Sequence, residues 1–433
     1  MRSPHGRLRC PTTLVVVTTL ASRSAEEIPL VARTVVIDDP GPLLSLLPAA
    51  APLAWVRRDD GLVAWGEVAR CTRSGPTRFT DAERWWRDVA ERGFVRDEAD
   101  VPGSGLLCFG SFGYADEPGN SVLVVPEVVV GRRGDLSWVT TISLGSLPAT
   151  QPLVPADEPM APQGVAFSDG AMSGAEWELI VAEAVRRIRG GALEKVVLAR
   201  DLVAELDAPL DVRAPLARLA ARYPSCWTFH VDGLFGATPE IYVRRERGLV
   251  TSRVLAGTIR RTGDDAHDLA LAATLARSSK DLEEHEFAVR SVADALAPYC
   301  LSMNVPESPF VLHLPNVMHL ATDVTGVLDA STRSLGLTAA LHPSAAVGGT
   351  PSDVAVPMIA ELEQMDRGRY AGPVGWMDSA GDGEWGIALR SAEYAGARIR
   401  LFAGCGIVAD SDPAAELAEA AAKFVPVRDA LSS

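Results

Sequence analysis

Clustered positive charge is what this sequence most lacks. Its 433 residues carry 41 lysines and arginines against 56 aspartates and glutamates, a formal charge of −15. Phosphate backbones are held by clustered Lys and Arg, so a nucleic-acid surface is excluded. An anionic small substrate is not, provided a metal or local cations offset the field. No apolar run has the ~20 residues that crossing a bilayer takes, so no membrane partner is expected. Arg2, Arg7 and Arg9 precede a short apolar run, Leu14–Leu20, without a convincing small-residue cleavage site. Residues 1–30 are therefore read as a disordered N-terminal extension. Six cysteines (Cys10, Cys71, Cys108, Cys226, Cys300, Cys405) are scattered with no C-x-x-C and no paired spacing. That pattern predicts reduced, mostly buried thiols in a cytoplasmic protein. No repeat or low-complexity tract stands out, which leaves one large globular domain or two to three average ones.

What is present is punctuation and pattern: 47% hydrophobic and 22% charged residues, with 37 Gly and 30 Pro spread along the chain. Order is expected from Val31, with a strand over Thr34–Ile37 and a hairpin, Ala51–Arg57 with Leu62–Val68, turning at Asp59-Asp60-Gly61. Thr80 and Asp81 read as the cap of a helix through Trp85-Trp86 that stops near Gly93. Strands follow at Gly105–Phe112 and Ser121–Val130, and a second hairpin turns at Arg133-Gly134-Asp135 into Ser137–Ile142. The stretch 146–172 is rich in Pro, Gly and Ser and reads as a loop or linker. It separates an N-terminal part, 31–145, from a region at 173–433 where the signals sharpen. Ser173 with Glu176 forms a capping box for a helix that ends at Gly190-Gly191. Strands over Lys195–Glu205, Cys226–Val231, Glu240–Arg244, Leu249–Leu255 and Val317–Val327 interleave with helices over 212–222, 264–277, 281–297 and 351–364. Strands over Gly372–Asp378, Trp385–Ser391 and Arg398–Cys405 close the chain. Meandering strands among helices predict an α+β fold with mostly antiparallel sheets.

Five islands carry candidate chemistry. In Ala403–Lys423 a strand runs through Gly404 and Gly406 into a helix with Ser411 and Asp412 at its cap and Pro413 at its first position. Glu416, Glu419 and Lys423 share one face of that helix. They suit a divalent cation beside an anionic ligand, or simply a solvated face with one Glu–Lys pair. Lys195 enters an apolar strand, where burial or a neighbouring cation would lower an amine's pKa and make it a general base; a snorkelling strand-end lysine is the alternative. Glu240, in Thr238-Pro239-Glu240, becomes a general acid if desolvated and is otherwise an exposed side chain. Gly257 and Thr258 end a strand, as a polar contact or an ordinary turn. Asp281 and Glu284 share a helix face at spacing three, capped by Ser278, and match the spacing of Glu416 and Glu419. Two such pairs make an oxygen-rich Mg²⁺ site plausible.

The stretches EKVVLAR, TPEIYVRR, VLAGTIRR, SSKDLEEHEFAV, LPNVMHLATDVTG, LHPSAAVGGTP, DRGRYAGPVGW, GIALRSA and AGCGIVADSDPAAELAEAAAKF together resemble the chorismate-utilising enzymes, and within them the isochorismate synthase branch. They occur in family order over Ser173–Ser433, while the N-terminal half matches loosely. The resemblance implies two large antiparallel sheets packed face to face with flanking helices, one active site, Mg²⁺, the small-molecule substrate chorismate and a monomer. It implies Lys195 as the base that activates water for attack at ring C2 and Glu240 as the acid that protonates the departing C4 hydroxyl. Glu284 and Glu419 would hold Mg²⁺, with Asp281 and Glu416 in support. Tyr370, Arg390 and Lys423, with backbone at Gly404 and Gly406, would bind the substrate carboxylates, and Gly257, Thr258 and His319 would line the ring. A lysine at 195 fits water rather than ammonia as nucleophile, and no LLES motif for tryptophan is present. Salicylate synthases, which also eliminate pyruvate, share the lysine and remain the competing branch. His342-Pro343-Ser344-Ala345-Ala346 departs from the commoner HPTPA of the isochorismate synthases. The pathway would be menaquinone or siderophore biosynthesis.

Overall fold

The computed structural model describes residues 28–148, 153–313 and 317–432, with the side chains of Thr258, Lys280 and Glu284 outside the description. Most of the expected extension, residues 1–27, therefore lies outside the described residues. Two sheets of thirteen and ten strands organise the chain. The larger runs from an edge at Ala166–Asp169 through Lys195–Glu205, Arg398–Ile407 and Ser391–Ala395 to the hairpin Pro52–Arg57/Asp60–Trp65, and on to Leu30–Ile37 and Phe94–Asp97. The smaller centres on Leu249–Arg260, Ile241–Glu246, Gly383–Ile387 and Pro373–Asp378. Among the described residues, pairing is antiparallel throughout except between Leu30–Ile37 and Phe94–Asp97. Both sheets draw strands from before and after residue 150, so neither half of the chain closes a sheet alone.

The sheets pack face to face. Leu53, Trp55 and Phe229 of one share a buried cluster with Phe109, Val374 and Trp376 of the other, the apolar contact that holds a two-layer fold together. Helices cover the outer faces. Pro413–Ser432 lies on Arg398–Ile407 and against Gly174–Arg189 and Arg213–Arg222, and Ser279–Leu296 lies on Leu249–Arg260. Among the described residues no helix is long and apolar enough to cross a membrane, and Cys108, Cys226, Cys300 and Cys405 are free thiols.

Several local expectations shift. The first hairpin turns one residue earlier than the Asp-Asp-Gly pattern suggests: Arg57 pairs with Asp60, and Arg58 and Asp59 take φ of 48° and 30°. Gly61 lies in the strand instead, because a Cβ there would stand 2.1 Å from the Trp55 carbonyl oxygen. The first helix starts at Arg78 with Thr77 at its cap position. Asp81 sits in its first turn and accepts from Thr77 Oγ1 at 2.6 Å. Pro126 lacks the amide proton a ladder needs and divides the expected strand into Ser121–Val125 and Val128–Arg133. Within the expected linker, Ala166–Asp169 pairs with Leu202–Glu205 as an edge strand. The capping box at Ser173–Glu176 forms as read, and Lys195–Glu205 is one strand of eleven residues.

Candidate active site

Two antiparallel neighbours of the larger sheet, Lys195–Glu205 and Arg398–Ile407, set the first wall. Val197 pairs with Gly406 and Ala199 with Gly404. Gly406 is required by close approach, since a Cβ there would meet Lys195 Cε at 2.8 Å. The lysine side chain therefore lies across the glycine's bare backbone. The C-terminal helix caps as expected, with Ala415 N donating to Asp412 Oδ1 at 2.9 Å. Ser411 is not a second N-cap: its hydroxyl donates to Glu416 Oε1 at 2.7 Å. Lys423 Nζ donates to the Gly404 carbonyl at 2.8 Å and lies 2.7 Å from Glu419 Oε1. About two turns of this helix thus bring Glu416, Glu419 and Lys423 to the end of the strand that carries Gly404 and Gly406.

The second wall belongs to the smaller sheet. Glu240 stands where Leu234–Thr238 leads into Ile241–Glu246. Its amide donates to Thr238 Oγ1 at 3.2 Å and its carbonyl accepts from Ile387 N at 3.1 Å. Burial drives its carboxyl up to about 7, against the opposing pull of Arg390, Lys195 and Lys423. These three cations come from three different elements. Arg390 has a left-handed backbone, φ 47°. Burial and the Arg390 charge hold His319 down at about 4, a neutral ring beside the Gly257 backbone. Gly257 occupies a bulge in the pairing of Leu249–Arg260 with Val317–Leu328, at φ 75°. A Cβ there would stand 3.2 Å from Asp281 Cβ, so the glycine lets the helix Ser279–Leu296 dock its first turn. Tyr370 is buried, stacks on Phe402 with centroids 5.1 Å apart, and sits in the field of Arg390 and Cys405.

The carboxylates of the C-terminal helix are electrostatically distinct. Ligand atoms of Cys405, Glu416 and Glu419 all lie within 4.8 Å of one another. Burial raises Glu416, opposed by the Ser411 hydroxyl and reinforced by the Glu419 charge. Burial also acts on Glu419, but Lys423, with Arg260 and Arg390, outweighs it and holds that carboxyl below its ordinary value. Burial pushes the Cys405 thiol up to about 12, so it stays protonated and offers no thiolate. Two half-buried carboxyl groups whose oxygens lie this close together are the kind of donor a hard divalent cation takes once both are ionised. The side chains of Thr258 and Glu284 lie outside the described residues, so their assigned parts rest on the sequence.

A cavity of about 570 Å³ joins the two walls, lined by Lys195, Glu240, Tyr242, Ser344, Ala345, Ala346 and Thr350 and running along Glu283 and Phe287 of the helix. The HPSAA segment forms part of its wall, its His342 ring donating from Nε2 to the Tyr114 carbonyl at 2.9 Å and accepting at Nδ1 from Tyr242 Oη at 3.2 Å. One supporting device escaped the sequence reading. Glu363, the last residue of the helix Ser352–Glu363, pairs with Arg367 just beyond the helix end, and both are buried. Arg367 donates to the carbonyls of Val197 at 2.8 Å and Val347 at 2.9 Å, and Glu363 accepts from Ala199 N at 2.7 Å. The pair rivets the HPSAA loop to the strand that carries Lys195. In sequence it reads as an ordinary i,i+4 surface pair, and only its apolar flanks hint otherwise. Arg260, which faces Glu419, lay inside the VLAGTIRR stretch without a role.

Comparison with known proteins gives a consistent picture. A family model described as chorismate binding enzyme matches residues 53–432. The chain is 41% identical over 256 residues to isochorismate synthase DhbC of Bacillus subtilis, covering 56% of this chain and 64% of that protein's length. It is 32% identical over 405 residues to the salicylate biosynthesis isochorismate synthase of Pseudomonas aeruginosa, covering 88% of this chain and 85% of the relative. Among solved structures, MenF, the menaquinone-specific isochorismate synthase of Escherichia coli, superposes with a TM-score of 0.78 at 25% identity, over 94% of this chain and 95% of that one.

Proposed function

The chain belongs to the chorismate-binding enzymes, and from that membership we propose that it is an isochorismate synthase, interconverting chorismate and isochorismate. The observation that carries the reading is Glu240: a carboxyl at the cavity wall, raised to about 7 by burial, in the field of Lys195, Arg390 and Lys423. A carboxyl near 7 gives up and takes back a proton at little cost at neutral pH.

In the forward direction the Lys195 amine takes a proton from water as the oxygen bonds to ring C2. The ring double bonds shift, the C4–O bond breaks, and Glu240 protonates the leaving hydroxyl, so one water enters and one leaves. The reverse reaction uses the same pair with roles exchanged. Arg390 and Lys423 supply the fixed positive charge that a dicarboxylate substrate requires. The neutral His319 ring and the Gly257 backbone offer hydrogen bonds without adding charge. Glu419 and Glu416, with Asp281 and the sequence-assigned Glu284, would hold Mg²⁺. That ion would neutralise and orient a substrate carboxylate. Menaquinone and siderophore pathways both consume isochorismate, and either would accept this product.

Incubation of purified protein with chorismate at neutral pH, with and without Mg²⁺, tests the reading by product chromatography. The expected outcome is Mg²⁺-dependent isochorismate approaching an equilibrium mixture from either side. Stoichiometric salicylate and pyruvate would assign the chain to the salicylate synthases instead. No consumption of chorismate at any Mg²⁺ concentration would remove it from catalysis.

A further inference from the structure

Tyr242 lines the cavity of Lys195 and Glu240 and has no part in the proton transfers assigned above. It follows Glu240 by two residues and is the extra residue of a bulge. Ile241 pairs with Gly386 and Val243 with Trp385, which leaves Tyr242 between them without a pairing partner. A bulge re-aims the side chain it carries, which is one reason bulges recur beside active sites. Ser252 Oγ donates to the Tyr242 carbonyl at 2.6 Å and fixes this irregular backbone from the neighbouring strand. The side chain is 3% exposed. A phenol placed so deeply needs a hydrogen-bond partner.

That partner is His342, the first residue of the HPSAA wall. Tyr242 Oη lies 3.2 Å from its Nδ1, and its Nε2 lies 2.9 Å from the Tyr114 carbonyl. A carbonyl only accepts, so Nε2 carries the ring proton, Nδ1 keeps a lone pair, and the phenol donates to it. Both groups hold these forms at neutral pH. Burial keeps His342 down at about 4, and burial with the Glu240 charge pushes the Tyr242 phenol well above its ordinary value. The far end of the wall is tied as well. There the Val347 carbonyl accepts from Tyr114 Oη at 3.2 Å and from Arg367 Nη1 at 2.9 Å. Between the two ends, the amides of Val347 and Gly348 donate to the Ser344 carbonyl at 3.1 and 2.9 Å. Ser344, Ala345 and Ala346 thus line the cavity from a turn held at both ends. Tyr242 is the tether that reaches this turn from the strand beginning just after Glu240.

We propose that Tyr242 is a positioning residue for substrate binding, holding the HPSAA turn through His342 at the distance from Glu240 that the substrate ring requires. The inference rests on the isochorismate synthase reading above. Ala345 and Ala346 present only methyl groups, and dispersion contacts weaken steeply once a gap opens. Where the wall stands is therefore decided by its tethers. Methyl groups move no proton and meet no developing charge, so their contact is made equally with the ground and transition states. Uniform contacts of that kind show in KM and not in kcat. Phenylalanine at 242 keeps the ring and its packing but leaves His342 Nδ1 without its donor.

Steady-state kinetics of the full chain with chorismate and Mg²⁺ test the assignment. Tyr242→Phe should raise KM about tenfold, the loss of one hydrogen bond with its acceptor stranded, and leave kcat within about twofold. The pH inflection near 7 that belongs to Glu240 should stay in place. His342→Leu should raise KM to a similar extent and the double variant no further, because both changes remove the same bond. His342→Gln, whose amide offers one donor and one acceptor, should recover part of the affinity that His342→Leu loses. An unchanged KM in Tyr242→Phe overturns the inference. So does a fall in kcat or a displaced inflection at constant KM, which would put the phenol in proton transfer, and so do additive losses in the double variant. Wild-type protein that consumes no chorismate overturns the parent reading and this one together. Wild-type turnover beside an ordinary KM in Tyr242→Phe overturns this one alone.

Discussion

The proposed acid–base pair of Lys195 and Glu240 makes a quantitative demand on the pH profile. Forward turnover needs the amine neutral and the carboxyl protonated; reverse turnover needs the amine protonated and the carboxylate free. Both competent states carry one proton in total, and they differ only in where it sits. The value of about 7 for Glu240 includes the positive charge of Lys195 among its causes. It therefore marks the step from two protons on the pair to one as pH rises. Below it the doubly protonated pair accumulates and lacks a base. With a midpoint near 7, about a tenth of the pair carries the single proton at pH 6 and about a hundredth at pH 5, and both competent states are drawn from that fraction. kcat/KM should fall tenfold per unit below pH 7 and level off above it, identically in both directions, because the overall reaction takes up no proton. The assay is the initial rate from chorismate and from isochorismate at saturating Mg²⁺, so that protons do not compete at Glu416. Glu240→Gln should lose roughly 10²–10⁴ in kcat, typical of removing a positioned acid. Asp378 supplies a control: burial and Asp382 raise it to about 7 as well, yet its carboxylate accepts from backbone amides, Gly103 and Asp382 among them, and does not line the cavity of Lys195 and Glu240. Asp378→Asn should leave the inflection in place. A flat profile between pH 5.5 and 7, or an inflection that disappears with Asp378 rather than Glu240, would refute the pairing.

Lys195→Gln should lose about 10²–10⁴ in rate while still binding chorismate by calorimetry; near-normal turnover would place the base elsewhere. Glu419→Gln keeps volume but removes a charge, so Mg²⁺-dependent turnover should vanish with the melting temperature nearly unchanged, and ordinary activity at ordinary Mg²⁺ would dismiss the metal assignment. Glu363→Gln leaves the Arg367 cation buried without its counter-charge and should cost about 3–5 kcal/mol by urea unfolding; a loss below about 1 kcal/mol would show that the rivet is dispensable. His230 is 3% exposed and burial holds it down at about 4. Its folded value lies below its unfolded one, so its contribution is complete above about pH 6.5 and is lost as pH falls toward 4. The slope amounts to about 3 kcal/mol over that window. Urea midpoints that stay constant from pH 6.5 to 4.5 would contradict it.

Local chemistry decided the parts of this protein that are legible one segment at a time. Ser173 and Glu176 announce a helix start because both hydrogen bonds of the capping box lie within four residues. The strand Lys195–Glu205 and the helix behind Pro413 follow from apolar spacing and a cap. Motif order then assigned the family and named the site residues, since the stretches that carry chemistry are short and contiguous. The helix Ser334–Leu341 escaped because the face opposite its buried Leu335, Leu337 and Leu341 is Gly336, Ala339 and Ala340 rather than polar, which erases the two-faced pattern that marks a surface helix. The edge strands Ala166–Asp169 and Phe310–His313 are too short to announce themselves without their partners. Energetics belonged to the tertiary structure alone. Glu240 reaches about 7 because burial in the assembled sandwich outweighs three cations delivered from a strand, a connecting loop and a helix. Glu363 and Arg367 become a rivet because the backbone groups they bond, at Val197, Ala199 and Val347, arrive from elsewhere in the chain. A charge's environment is set by what surrounds it in space, and sequence spacing records only its nearest neighbours along the chain.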